Sequence, residues 1–300
     1  MRKVMFLLFL IAPLLCISCE KNISDDVETP GNTDNPEDSD FDKIGIQDYL
    51  DGNVVPRKLV SNIVQMKEGD LFPTGEWEFK YDDMNRLSEL HSLIGMDPYH
   101  NTFSYKENKI FEKASSYGVN FLYELNSDGY VFSASREPDE YGDLIRNFEY
   151  ENQYMTYISA EHYMDYERLN LWKNGDLLQT QQVEDNMPDR SIYYEYGKLV
   201  NNPYINVDFN IFLDSNFENK HKNSFSENIF KAFECFGKRS KHYKIKETTS
   251  DDAPVLIYDY LFDKEGYVAK IIETAKEKGF ENEEEYIHKY IYTISYVDAM

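Results

Sequence analysis

From Lys58 to Val297 the chain alternates apolar and polar residues with a period of two, and turn-forming residues interrupt the alternation at short intervals. That period belongs to strands with one covered face. The clearest unit is Leu256 to Thr274, where two runs rich in aromatic and β-branched residues flank Asp263-Lys264-Glu265-Gly266. Glycine takes the positive φ that closes a short hairpin loop, so the unit reads as strand, tight turn, strand. Phe121 to Val131 repeats its spacing with Gly129 in the same slot. Trp77 to Leu87 repeats it with Asn85 there, and Asn tolerates positive φ better than other non-glycine residues.

The same reading predicts a first strand over Lys58–Met66 and hairpins over Gly75–Ser92, Thr102–Ala114, Asn120–Ser135 and Arg146–Glu161. Arg168–Gln181 follows around Asn174-Gly175, the strongest two-residue hairpin signal in the chain. A short pair surrounds Gly197, and a last group comprises Val255–Thr274 and Glu285–Val297. One stretch departs from period two. Ser224-Phe225-Ser226-Glu227 has the form of a capping box, and Ile229, Phe230, Phe233 and Phe236 share a helical face that Gly237 can terminate. Tyr204–Leu213 alternates apolar residues with Asn and Asp, which suits either a strand or a buried irregular crossover. The fold class expected is mainly β: a long curved antiparallel sheet of tandem hairpins with one short amphipathic helix packed on it.

The N-terminus supplies an address. Arg2 and Lys3 precede an apolar run from Val4 to Leu15, the layout of a signal peptide and too short for a comfortable membrane span. The run ends in Leu15-Cys16-Ile17-Ser18-Cys19, which resembles a bacterial lipobox, although Cys16 stands where Leu is usual. The resemblance implies cleavage after Ser18 and a lipid on Cys19, whose acyl chains contribute roughly 0.8 kcal/mol per buried methylene to a membrane anchor. Glu20–Asp40 is poor in apolar residues and rich in Asp, Glu, Asn, Pro and Thr, so it reads as a disordered tether. The division expected is residues 1–18 signal peptide, 19–44 lipidated Cys and tether, and 45–300 a single β domain. Ser24-Asp25-Asp26 resembles the acidic export signal of surface-exposed lipoproteins in some Gram-negative gut anaerobes; a generic acidic linker is the alternative.

Charge narrows the partners. The formal charge is −24, and loss of Arg2 and Lys3 with the signal takes it to −26. An excess of this sign argues against nucleic acid and anionic membrane surfaces. With Cys16 removed and Cys19 lipidated, Cys235 stands alone and no intrachain disulfide is expected. Its neighbours Phe233 and Phe236 suggest a small buried hydrophobe.

Searching for chemistry gives little. The chain contains no His-Glu-x-x-His, Gly-x-Ser-x-Gly, Gly-rich phosphate loop or Cys-x-x-Cys. Its six histidines are scattered along the sequence, and His221 and His242, which flank the expected helix, read as surface residues rather than a metal pair. Acidic pairs such as Asp82-Asp83 and Asp251-Asp252 are expected by chance among 55 acids and carry no weight as a glycosidase pair. Asp38, Asp40 and Asp42 begin like a calcium loop, but Lys43 replaces the turn Gly and Tyr49 the bidentate Glu. No cofactor, metal or catalytic residue is expected.

The aromatic content, 15% of the chain with 25 Tyr, is the feature with a functional reading. In the last strand Tyr286, Tyr290, Tyr292 and Tyr296 share one face with His288, and Ile287, Ile291 and Val297 share the other. If the Ile face is the core, the Tyr face lies partly open to a glycan or protein; a cross-strand ladder that only stabilises the sheet is the alternative. Trp77 and Trp172 read either as stacking platforms or as packed strand residues.

The lipobox, the tandem hairpins, the Asn206-Val207-Asp208-Phe209-Asn210 segment and Gly237-Lys238-Arg239-Ser240 together resemble uncharacterised outer-membrane lipoproteins of Gram-negative gut anaerobes, of a domain of unknown function with YD-repeat-like hairpins. The resemblance implies a long curved antiparallel sheet and no known activity. The expected function is a non-catalytic binding or interaction module, lipid-anchored in the outer membrane through Cys19 and exposed at the surface. The alternative is a periplasm-facing carrier holding an apolar ligand between sheet and helix.

Overall fold

The computed structural model describes residues 58–300 apart from 95–96, 115–119, 140–141, 162–165, 185–188, 203, 214–231, 251–253 and 278–285. Sixteen antiparallel strands follow one another around a closed barrel. They are β1 Lys58–Lys67, β2 Gly75–Tyr81, β3 Leu87–Ile94, β4 Asp97–Lys106, β5 Lys109–Ala114, β6 Asn120–Leu125, β7 Val131–Asp139 and β8 Gly142–Glu151. The second half comprises β9 Tyr154–Glu161, β10 Tyr166–Lys173, β11 Asp176–Glu184, β12 Arg190–Val200, β13 His242–Thr249, β14 Val255–Phe262, β15 Val268–Glu277 and β16 Tyr286–Asp298.

The open curved sheet expected from the sequence is therefore corrected to a closed one. Its first and last strands pair along nearly their whole length, from Lys58 opposite Asp298 to Lys67 opposite Tyr290. Closure gives the two edge strands partners, and an unpaired edge would expose a row of backbone donors and acceptors. The short pair expected around Gly197 is instead one strand, β12. β13 was not expected at all, because its period is hidden by two inward charged residues, Lys244 and Glu247.

The hairpin repeats owe their form to an Asx turn. Asp263 Oδ1 accepts the backbone N–H of Glu265 and Tyr267 at 2.8 and 3.0 Å. Asn126 does the same for Asp128 and Tyr130, and Asp82 for Met84 and Arg86. The slot predicted to need positive φ has it in all three turns: 83° at Gly266, 83° at Gly129 and 60° at Asn85. Asp82 is thereby a turn residue, also ion-paired to Arg86.

In each repeat the register slips by one residue beside the turn, as at Lys80/Tyr81, Glu124/Leu125 and Leu261/Phe262. A tyrosine from the next strand then donates its hydroxyl to a carbonyl there. Tyr105 reaches Leu87 O, Tyr150 reaches Val131 O and Tyr296 reaches Val268 O. Tyr81 and Tyr260 make the same bond to Val60 O and Lys244 O, again beside bulges. Bulges free backbone groups that a buried wall must satisfy, and the tyrosines satisfy them from inside.

The described residues between β12 and β13 (201–202, 204–213 and 232–241) enter the barrel. Phe212 packs edge-on against Trp77 of β2 and Tyr292 of β16. Phe233 contacts Phe79 of β2, and Phe236 contacts Tyr123 of β6 and Phe148 of β8. Contacts with so many walls place this segment in the lumen as a plug, and its apolar residues form one core with the inward face of the barrel. Its polar residues bind the wall: Asn206 accepts from Val60 N–H at the β1 bulge and donates to Tyr81 Oη, while Asn210 accepts from Lys244 N–H and donates to His242 O. Tyr204–Leu213 is thus the irregular crossover of the two readings, with one helical turn, α1, at Phe209–Phe212 capped by Asp208. The predicted capping box lies outside the described residues. Phe233 is extended (φ −90°, ψ 159°) and only a 3-10 turn, Glu234–Phe236, follows, so no helix runs continuously to Phe236.

Candidate functional site

The last-strand tyrosines face the opposite way from the expectation. Tyr292 is 3% exposed and its hydroxyl lies between Gln65 Nε2 at 2.8 Å and Glu273 Oε2 at 3.2 Å. Tyr290 and Tyr296 share its inward face and are half-buried, whereas Ile287 and Val297, taken as the core side, face outward and are exposed. Apolar character alone misassigned the faces, because the lumen needs aromatic rings that also carry a hydroxyl for the bulges and for buried acids. Tyr286, at the start of the strand, is 50% exposed. Trp77 is buried in the core. Trp172 is half-buried, packs on Tyr154 at 4.7 Å and donates Nε1–H to Met155 O at 2.7 Å. These six residues do not form one surface.

What the fold does assemble is a small cavity of about 50 Å³, at the base of a recess that opens to solvent, between the wall strands β9 to β13 and the plug. Met155, Ile158, Trp172, Leu177, Tyr194 and Phe236 supply apolar and aromatic lining. Arg168, Asn170, Thr180, Asp208 and Lys244 supply the polar part. Trp172 is the one residue of the aromatic set predicted from sequence that lies here.

The polar groups are unequally satisfied. Lys244 and Glu247, each 1% exposed, pair at 2.7 Å, and the ammonium also lies 4.8 Å from the centre of the Tyr258 ring. Asn170 Oδ1 accepts from Thr180 Oγ1 at 2.9 Å. Asp208 is 1% exposed; its Oδ1 accepts from Asn210 N–H and Asn201 Nδ2, but its Oδ2 is buried with no hydrogen-bond partner among the described residues. Burial raises its carboxyl above 3.8, opposed by the nearby Arg239 charge and the two hydrogen bonds. Arg168 donates from Nη2 to Gln182 at 3.2 Å, while its buried Nε has no partner among the described residues. The cavity thus offers an apolar floor with a carboxyl oxygen and a guanidinium N–H available, which suits an amphipathic molecule.

Glu112 is buried and accepts from Asn101 and Tyr123. His242 Nδ1 lies 2.8 Å from Asp176 Oδ2 and its N–H donates to Oδ1, a link between β13 and β11; His221 lies outside the described residues. Cys235 is a half-buried thiol at the edge of the core.

The outer wall mixes paired charges with exposed apolar residues such as Phe132, Leu171 and Leu261, whereas a barrel that spans a membrane shows lipid an uninterrupted apolar band. Here Lys80 pairs with Glu89 at 2.9 Å, Lys109 with Glu124 at 2.8 Å and Lys246 with Glu195 at 2.7 Å, all outward. Exposed Phe111 sits between Lys109 and Lys113 on one face of β5. Among the described residues no helix is long and apolar enough to cross a membrane.

No protein-family model matches the chain, and no curated protein does. A solved structure resembles it: the crystal structure of a porin-like protein from Bacteroides uniformis ATCC 8492, with a TM-score of 0.58 and 17% identity, over 80% of this chain and 100% of that one. At that identity the likeness concerns the fold, a closed antiparallel barrel.

Proposed function

We propose that this chain is a non-catalytic binding protein of the cell envelope, held by a lipid on Cys19, which takes a small amphipathic ligand inside its barrel. The observation that carries the reading is the pair of buried, unsatisfied polar atoms, Asp208 Oδ2 and Arg168 Nε, in a cavity walled by Trp172, Leu177, Tyr194 and Phe236. Burying such atoms without partners costs free energy, and a ligand bearing one polar group on an apolar body removes that cost. The inward tyrosines favour this reading over an open aromatic sheet face for glycans or proteins. The paired charges on the outer wall favour a barrel standing in water over one that crosses the bilayer.

The test is native mass spectrometry of the full chain expressed in a Gram-negative host, with a Leu177→Trp variant that fills the cavity. A co-purifying small molecule of defined mass, absent from the variant at unchanged melting temperature, is the expected result. A wild-type chain that carries nothing and shows no saturable binding of 1-anilinonaphthalene-8-sulfonate would refute the cavity reading. Labelling with a palmitate analogue, compared in wild type and Cys19→Ser, tests the anchor separately.

A further inference from the structure

A cluster on the outer wall, remote from the cavity lining, has metal-ligand chemistry. Glu89 and His91 lie two apart on β3, so their side chains leave the same face, and His91 pairs directly with His100 on β4. The two imidazoles stack with centroids 4.0 Å apart and planes 12° from parallel. His91 Nε2 lies 3.0 Å from Glu89 Oε2 and His100 Nε2 lies 3.8 Å from the same oxygen. His100 Nε2 is shielded from solvent and has no hydrogen-bond partner among the described residues. One ligand atom from each residue falls within 4.8 Å of the other two.

We propose that Glu89, His91 and His100 bind a borderline divalent cation of the Zn²⁺ type. Two imidazole nitrogens and one carboxylate oxygen select that class over Ca²⁺ or Mg²⁺, which require oxygen ligands. Zinc bonds of 2.0–2.2 Å in a tetrahedron set ligand atoms roughly 3.3 Å apart. Side-chain rotation closes the remaining gap, because the three side chains are 36–40% exposed and have room to turn. The strands fix the backbone beneath them. Three protein ligands leave the fourth position to water or to a group on another molecule. Lys80 Nζ lies 2.9 Å from Glu89 Oε2 and competes with the cation for that oxygen. The pattern was invisible in the sequence because His91 and His100 are brought opposite each other by strand register and share no local motif.

Isothermal titration of the chelator-treated full chain with Zn²⁺ tests the assignment. One site is expected, weakened at least about ten-fold by His91→Ala or His100→Ala, since even loss of an outer-shell partner costs ten-fold or more. His288→Ala should leave the affinity unchanged, and Lys80→Met should tighten it. No zinc binding by the wild type, equal binding by a folded His91→Ala/His100→Ala double variant, or no tightening in Lys80→Met would each overturn it.

Discussion

Replacing Lys244 with Met removes the ammonium from a pair buried as deeply as any in the barrel. The Nζ–Oε2 distance to Glu247 is 2.7 Å and both side chains are 1% exposed. The lysine also sits against the rings of Tyr194 and Tyr258, at 5.3 and 4.8 Å. Its backbone N–H is held by Asn210 of the plug at 2.7 Å. Met fills similar volume, so the loss is mainly electrostatic: the buried Glu247 carboxylate loses its ion pair with Lys244. Removing one partner of a buried ion pair costs about 3–5 kcal/mol. In a domain of this size that corresponds to a fall of roughly 6–20 °C in melting temperature.

The double variant Lys244→Met/Glu247→Met separates pairing from packing. Two apolar side chains of matching size are often neutral or better than the ion pair they replace, so the double variant should recover most of the loss. Urea unfolding of the wild type, both single variants and the double variant gives the coupling between the two positions directly. A Lys244→Met chain within about 1 kcal/mol of the wild type, well below the cost of a stranded buried charge, would refute the reasoning. So would a double variant as unstable as either single one.

The Asp208 carboxyl is raised above 3.8 by burial, so the folded chain holds its proton more tightly than the unfolded one. The stabilisation linked to that proton is complete below the ordinary value and is lost as pH rises through the folded one. Urea midpoints of the wild type relative to Asp208→Asn should therefore fall from about pH 4 toward neutrality, in the sense fixed by that linkage; a constant difference would contradict it. Tyr123, Tyr258 and Tyr292 are held well above 10.0 by burial first and neighbouring acids second. By the same sign, stability falls once pH passes the ordinary tyrosine value, and phenolate absorbance should rise in two phases, the second coinciding with loss of near-UV circular dichroism. Complete ionisation in a native spectrum would refute it. Gly237 has φ 97°, and a Cβ there would meet Gln153 O at 2.9 Å and the Tyr150 ring at 3.0 Å. Gly237→Ala should destabilise by about 1–3 kcal/mol through backbone strain, read by thermal unfolding; an unchanged melting temperature would count against the plug's fit.

The parts of this fold legible in the sequence are those set by residues near one another. The turn chemistry of Asp82, Asn126 and Asp263 and the positive φ of Asn85, Gly129 and Gly266 follow from local rules, and so do most strand limits. Closure does not, since β1 and β16 meet across more than two hundred residues and nothing in either strand names its partner. The cavity depends on that closure. Its polar atoms come from β10 and from a plug whose Asn and Asp residues looked like the outward half of a strand. The tyrosines show why the faces were read the wrong way round. Polarity alone assigns rings with hydroxyls to the wetter face, but backbone carbonyls beside the bulges need a donor from inside the closed wall. A tyrosine can fill the apolar interior and still reach that oxygen, as Tyr105, Tyr150 and Tyr296 do. Aromatic abundance in this chain is therefore first a consequence of repeated bulges, and the proposed recognition rests instead on the cavity where Asp208 Oδ2 and Arg168 Nε have no hydrogen-bond partner among the described residues.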